Sequence, residues 1–368
     1  MSSEGWAPGR LDLLGGVADY SGSLVLEVPT ALGTTVTATP ADALVVGDVV
    51  LSPPDVTALA TRPYEEIRAA LAPHPRWTHY LLGVALGLVR HGVIAPPSVA
   101  LTVASDLPQS VGVSSSASLE VATARALGGD AIDPLELALL CQEAENHVVG
   151  APCGVMDQVT VAVGRPGAVL PILCRPASVG ASIEIPEGVE VVGWPTGAEH
   201  DVSGVPYGRA RVAAFMGKRM AEEALGHRVD WISELPSHAV AELPEAIDGV
   251  AFLDGWGPTA DTVTVVDPDL TYPVRAATTF GVEEHLRTTE ATAALAGGDV
   301  GRVGELMLES HAGYDAMGLG HPAATAAQEA VLARPGVHGA RSSGGGSGGT
   351  VVVLCERGAL DDVPDLIR

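Results

Sequence analysis

Residues 98–124 place the tightest constraint on the fold. SVALTVA has the β-branched composition of a strand. It delivers the chain into DLPQSVGVSSSA, Asp106–Ala117, and the run Ser118-Leu119-Glu120-Val121-Ala122-Thr123-Ala124 follows with helical apolar spacing. A glycine and three serines at the mouth of a helix bring free backbone N–H groups, hydroxyls and the positive end of the helix dipole to one point, which is a place to hold a phosphate. The same residues also fit an ordinary Ser-capped helix, because serine caps helices freely.

A phosphate site in this chain needs local help. Asp and Glu number 45 against 20 Lys and Arg, a net charge of −25. That balance argues against nucleic acid or an anionic membrane as partner, since both need clustered basic side chains. The one lysine, Lys218, does not follow a glycine-rich loop, so neither a P-loop nor a protein-kinase-type lysine is available. Cys141, Cys153, Cys174 and Cys355 have no metal-ligand or CxxC spacing and are too sparse for a disulfide scaffold. MSSEGWAPGRLDLL has no basic region leading into an apolar core, and no uninterrupted apolar run of about 20 residues occurs later. The expectation is a cytoplasmic protein, monomer or homodimer, with no nucleic-acid or membrane partner. Its 368 residues suffice for two or three domains.

Patterning predicts strands over Trp6–Gly16 and Leu24–Ala38 around a Gly-Gly turn, a short hairpin over Asp42–Pro54, and one helical stretch over Tyr64–His91. Asp133–Val149 reads as a helix with Pro134 in its first turn. Strands are predicted around Gly167–Cys174 and Val189–Val192, then a strand-to-loop exit at 195–200 and helices over Tyr207–Leu225, Phe280–Ala296, Gly301–Met317 and His321–Ala333. The Gly-rich loop RSSGGGSGG feeds a β run at Thr350–Leu354. Pro and Gly cluster near residue 190, so the expected domains are 1–190 and 191–368. Ser233–Pro268 carries little signal.

Chemistry gathers around APCGVMDQ, Ala151–Gln158, and Glu145 before it. A Pro-Cys-Gly turn lets backbone bend close to a ligand, and Asp157 then stands at a helix start. If the serine loop holds a phosphate, Asp157 is placed to take or orient the proton of an attacking hydroxyl. Glu145, with a serine of the triple serine, is placed to hold Mg2+, which prefers a few hard oxygen ligands. Arg10 is a candidate to stabilise charge on a transferred phosphoryl group. Each also has a plainer role open to it: Asp157 as an Asx-turn or cap, Arg10 as a surface ion pair, the C-terminal glycines as a link.

Three blocks in order, APGRLDLLGGVADYSGSLVLEVP, LPQSVGVSSSAS and GARSSGGGSGGTVVVL, resemble the ordered motifs of the GHMP small-molecule kinases. CQEAENHVVG, APCGVMDQ and LMLESH narrow the resemblance to the galactokinase branch, and it covers nearly the whole chain. It implies an N-terminal α/β domain like the second domain of ribosomal protein S5, a C-terminal ferredoxin-like α+β domain, and ATP and a sugar as substrates. Residue by residue it implies Ser116 and Glu145 as Mg2+ partners, Gly112, Val113, Ser114, Ser115 and Ser116 as the ATP phosphate cradle, and Trp77 as an adenine contact. Asp157 becomes the base or orienting carboxylate with Arg10 beside it, while Asp19, Gly154 and Tyr207 fall where galactokinases contact sugar hydroxyls.

One departure bears on the substrate. Where galactokinases read GEHTDY and use the Glu-His pair on the sugar's C6 hydroxyl, this chain has Gly15-Gly16-Val17-Ala18-Asp19-Tyr20. Gly16 and Val17 have no side chain for such hydrogen bonds, while Asp19 is retained. The expected sugar is galactose-shaped without C6, as L-arabinopyranose is. GGVADYSGSLVLEVP with ENHVVGAPCGVMDQ is also similar to the kinase domain of plant-type L-arabinokinases. Galactose or galacturonate as acceptor, and a non-catalytic sugar sensor on the same fold, stay open as alternatives.

Overall fold

The structure, a computed structural model, describes residues 2–198 and 205–368. The chain divides into two units: Met1–Arg10, Pro29–Gln109 and Ser114–Pro166 form the first, and Leu11–Val28, Ser110–Val113 and Gly167–Arg368 the second. Both mix sheet and helix.

In the first unit, Thr34–Pro40 pairs antiparallel with Val99–Ser105, and Val45–Val46 lies parallel to Ala100–Leu101. The predicted hairpin is Leu44–Val46 against Val49–Leu51. Helices Pro53–Ala60, Tyr64–Leu71, Arg76–Arg90, Ser115–Ala126, Pro134–Ala144 and Met156–Val163 accompany these strands. Arg76–Arg90 buries Leu81, Leu82, Val84, Ala85 and Leu88, the stripe that its apolar spacing predicts.

The single helix expected over Tyr64–His91 is two helices. Pro73 and Pro75 lie between Leu71 and Arg76; proline lacks an N–H and pushes the residue before it out of the helical region, so one rod cannot run through. The helix Pro53–Ala60, which the hairpin reading did not anticipate, starts with a capping box in which Ser52 and Asp55 satisfy each other's backbone N–H. The predicted helix over Asp133–Val149 runs as an α-helix to Ala144 and then widens into a π-turn over Glu145–Val149, a device common at functional sites.

In the second unit, Leu24–Glu27 pairs with Leu170–Leu173. A separate three-stranded sheet has Thr350–Glu356 in the middle, antiparallel to Val337–Ser342 and Val189–Pro195. Its central strand is buried on both faces, which is why TVVVLC reads as a continuous apolar run. Arg341 and Ser342 still belong to a strand, so the loop begins later than RSSGGGSGG implied. Helix Val274–Ala296 begins six residues before the predicted Phe280; VRAATTF is rich in residues with weak helix preference, and packing overrides it. The predicted exit at 195–200 ends outside the described residues.

Ser233–Pro268, silent in the sequence, contributes to the core. Leu235, Ala239, Val240, Leu243 and Phe252 are buried in one apolar cluster with Val17, Tyr20, Phe280 and Tyr314.

Candidate active site

In the first unit, strand Ser3–Leu14 carries Arg10 and helix Met156–Val163 carries Asp157 in its first turn, where the helix dipole favours a carboxylate. Arg10 Nε and Nη2 both lie 2.8 Å from Asp157 Oδ1. The Arg10 side chain is 3% exposed and the Asp157 side chain 21%. The surface-ion-pair alternative for Arg10 therefore fails: the guanidinium is buried and aims a carboxylate that keeps some access to solvent.

Beside Asp157, Gln158 Nε2 donates to Glu145 Oε2 at 2.6 Å and to Glu120 Oε2 at 3.1 Å. Ser116 and the Cys153 thiol also hydrogen-bond Glu145. Burial, and then the Asp157 charge, push the Glu145 carboxyl up to about 7. Burial and the Glu145 charge push Glu120 up as well, and one Glu120 oxygen has no hydrogen-bond partner. These acids stand close enough that the charge of each disfavours the charge of the next. Glu145 and Ser116, the predicted Mg2+ partners, are thus hard oxygen donors among crowded carboxyl groups, and that donor set fits a divalent ion. Asn146 holds the Pro-Cys-Gly turn by bonding the Cys153 N–H at 2.9 Å and its carbonyl at 3.3 Å, and half-buried Gly154 follows.

Ser114 is the N-cap of helix Ser115–Ala126, yet it makes no side-chain capping bond. Its φ is +57°, a left-handed conformation that costs a non-glycine residue about 1 kcal/mol or more. Its Oγ is buried without a partner. A serine chosen only to cap a helix would be extended and bonded to the first turn, so the plain capping alternative does not account for it. Gly112 is also left-handed, with φ +76°, and a Cβ there would lie 3.5 Å from the Ser343 carbonyl; Val113 is buried. Trp77 is 45% exposed, with Gly47 beneath its ring, 3.1 Å from Cζ2 to a Cβ built on the glycine. It presents an accessible aromatic face.

In the second unit, Gly16–Ser21 forms a 3-10 turn with Gly16, Val17 and Asp19 buried. Arg211 and Asp261, which sequence reasoning did not single out, organise the surroundings of Asp19. Arg211 Nε and Nη2 bond the two Asp261 oxygens at 2.8 and 2.9 Å, and the guanidinium stands 5.4 Å from the Tyr20 ring centroid. Tyr207 meets Tyr20 edge-on, with centroids 6.0 Å apart. Burial works against the Arg211 charge, but Asp261, Tyr207 and Asp19 outweigh it and raise its pKa. Asp19 and Tyr207 thus both act electrostatically on Arg211. The available signal was the i, i+4 spacing of Tyr207 and Arg211 on one helix; nothing local marked Asp261.

Two stretches of the chain match known families. Residues 79–165 match the GHMP kinases N terminal domain and 291–365 the GHMP kinases C terminal. An L-arabinokinase from Arabidopsis thaliana is 32% identical over 95% of this chain, which spans only 42% of that protein's length. Galactokinases from Chloroflexus aggregans and Homo sapiens are each 32% identical, over 97% and 96% of this chain and 84% and 83% of theirs. Among solved structures, Lactococcus lactis galactokinase complexed with galactose superposes with a TM-score of 0.78 at 20% identity, covering 98% of this chain and 87% of that one.

Proposed function

This chain belongs to the GHMP kinase family, on its galactokinase branch, and from that premise we propose that it phosphorylates the anomeric hydroxyl of L-arabinose to give L-arabinose 1-phosphate. It is an ATP-dependent sugar kinase. In the proposed reaction the anomeric oxygen attacks the γ-phosphorus of ATP, the bond from that phosphorus to the bridging oxygen breaks, and ADP leaves. Asp157 accepts or orients the proton of the attacking hydroxyl, and Arg10 holds that carboxylate in place. Glu145 and Ser116 would hold Mg2+, which when bound neutralises phosphate charge. Ser114, Ser115, Ser116, Gly112 and Val113 form the phosphate cradle, and Trp77 offers its ring to the adenine. Asp19, Gly154 and Tyr207 contact ring hydroxyls, with Gly16 and Val17 bordering the sugar.

The observation that carries the sugar assignment is the Gly16-Val17 pair beside a retained Asp19. The turn keeps a carboxylate for the ring, and Gly16 and Val17 bring no polar side chain for an exocyclic group. Galactose is the second reading, favoured by the galactokinase relatives at the same identity as the L-arabinokinase. A coupled ADP-release screen over L-arabinose, D-galactose, D-galacturonate and D-glucuronate separates them. The extra CH2OH of galactose is expected to cost about 1–3 kcal/mol in kcat/KM, and a clear preference for galactose removes the arabinose assignment.

A further inference from the structure

Gly16 lies against three side chains of the second unit, Asp12 four residues before it and Tyr314 and Arg341 from far along the chain. Its φ is +49°, and a Cβ on it would run into the Tyr314 hydroxyl while sitting 2.8 Å from Asp12 Oδ2 and 2.9 Å from Arg341 Nη2. Tyr314, on helix Val300–Ala316, is fully buried. Its hydroxyl accepts from the Val17 N–H at 3.1 Å and donates to the Gly344 carbonyl at 2.6 Å. Its ring meets Phe280 edge-on at 5.3 Å between centroids, and the Arg341 guanidinium stands 4.9 Å from its centroid. Arg341 is paired with Asp12 at 2.8 Å, and Asp12 accepts from the Gly16 N–H at 3.0 Å and the Gly344 N–H at 3.1 Å. Moving the Tyr314 hydroxyl would leave two buried backbone groups unpaired, so the space it takes is not easily given up.

We propose that Tyr314 is a specificity-determining residue of the sugar site. Its hydroxyl takes the volume that a side chain at residue 16 would need, so the turn can offer neither a side-chain grip nor room for an exocyclic CH2OH. The proposal rests on the L-arabinose reading for its direction: a sugar lacking C6 needs neither grip nor room. Tyr314 acts by shape and by holding the Gly16–Val17 backbone, and takes no part in phosphoryl transfer.

The test is kcat/KM for D-galactose and L-arabinose in the full-length wild type, Tyr314→Phe and Tyr314→Ala, with thermal melts of each. Tyr314→Ala is expected to raise the galactose-to-arabinose ratio about tenfold or more, mainly through a lower KM for galactose, and Tyr314→Phe to shift it less in the same direction. A purely structural tyrosine would lower both sugars together. A ratio within twofold of wild type in both variants overturns the proposal. If Tyr314→Ala does not fold, Tyr314→Phe, which keeps the ring, decides alone. Where turnover is too slow to measure, the same ratio is taken from the two sugars' dissociation constants. The wild-type ratio tests the arabinose reading by itself, and the change on substitution tests Tyr314 whichever sugar wild type prefers.

Discussion

Two Arg–Asp pairs, Arg10–Asp157 in the first unit and Arg341–Asp12 in the second, have the same 2.8 Å separation and very different surroundings. Asp12 and Arg341 are both fully buried, and the Asp12 carboxylate is taken up by the Gly16 and Gly344 N–H groups as well as by its arginine. Nearby Glu284 accepts from Gly15 N–H and Ser310 and has Arg287 as partner. Charge there is closely matched, and the bonds from the Gly15, Gly16 and Gly344 N–H groups fix backbone. Around Asp157, by contrast, Glu145 and Glu120 crowd in as buried carboxyl groups that resist ionisation, and Asp157 keeps partial exposure. One pair is a scaffold for a turn; the other aims a carboxylate in a place suited to cations and phosphate.

The sharpest way to break this contrast is to substitute each aspartate. Asp157→Asn, which keeps the shape and removes the charge, is expected to lower kcat by about 10²- to 10⁴-fold while nucleotide binding, followed by titration calorimetry, is retained. Unchanged turnover would take Asp157 out of the mechanism. Asp12→Ala leaves Arg341 buried without its counter-charge and should cost about 3–5 kcal/mol of stability by denaturant titration. A loss below 1 kcal/mol would show that Asp12 does not hold the turn.

A smaller effect tests the crowded carboxyl groups. Glu145 has its pKa raised in the folded protein, so the folded state binds more protons than the unfolded chain between the ordinary glutamate value and about 7. Its contribution to stability is therefore complete at low pH and is lost as pH rises through 7. Without Mg2+, the melting temperature should fall by a few degrees over that window, and Glu145→Gln should flatten this stretch of the profile. An unaltered slope in Glu145→Gln would assign the effect elsewhere. The smallest change expected is for Trp77→Ala, where loss of ring stacking of about 0.5–1.5 kcal/mol should raise KM for ATP several-fold and leave the sugar KM alone.

The first unit's site was largely legible in the sequence because its parts are local. The Ser114–Ser116 run, Asp157 at a helix start and Glu145 at a helix end can each be read from a short window, and only their meeting required the fold. The second unit's site was half legible. Gly15-Gly16 and Asp19 stand out, but what packs on Gly16 comes from Tyr314 and Arg341, about 300 residues away. Arg341 lies inside RSSGGGSGG, where the glycines are the visible signal; Tyr314 lies in the helix predicted over Gly301–Met317, where its spacing is that of an ordinary core residue, and Asp261 carries no local mark. Helix boundaries failed where prolines were run through, as at Pro73 and Pro75, and where packing overrode weak helix formers, as before Phe280.

Direct competition tests the central claim. L-arabinose and D-galactose at equal concentration are incubated with the wild-type protein, ATP and Mg2+, and the sugar phosphates are resolved by phosphorus NMR. The account predicts L-arabinose 1-phosphate as the main product, with its phosphorus coupled to the anomeric proton. Galactose 1-phosphate as the main product, or a phosphate on any other hydroxyl, would contradict it.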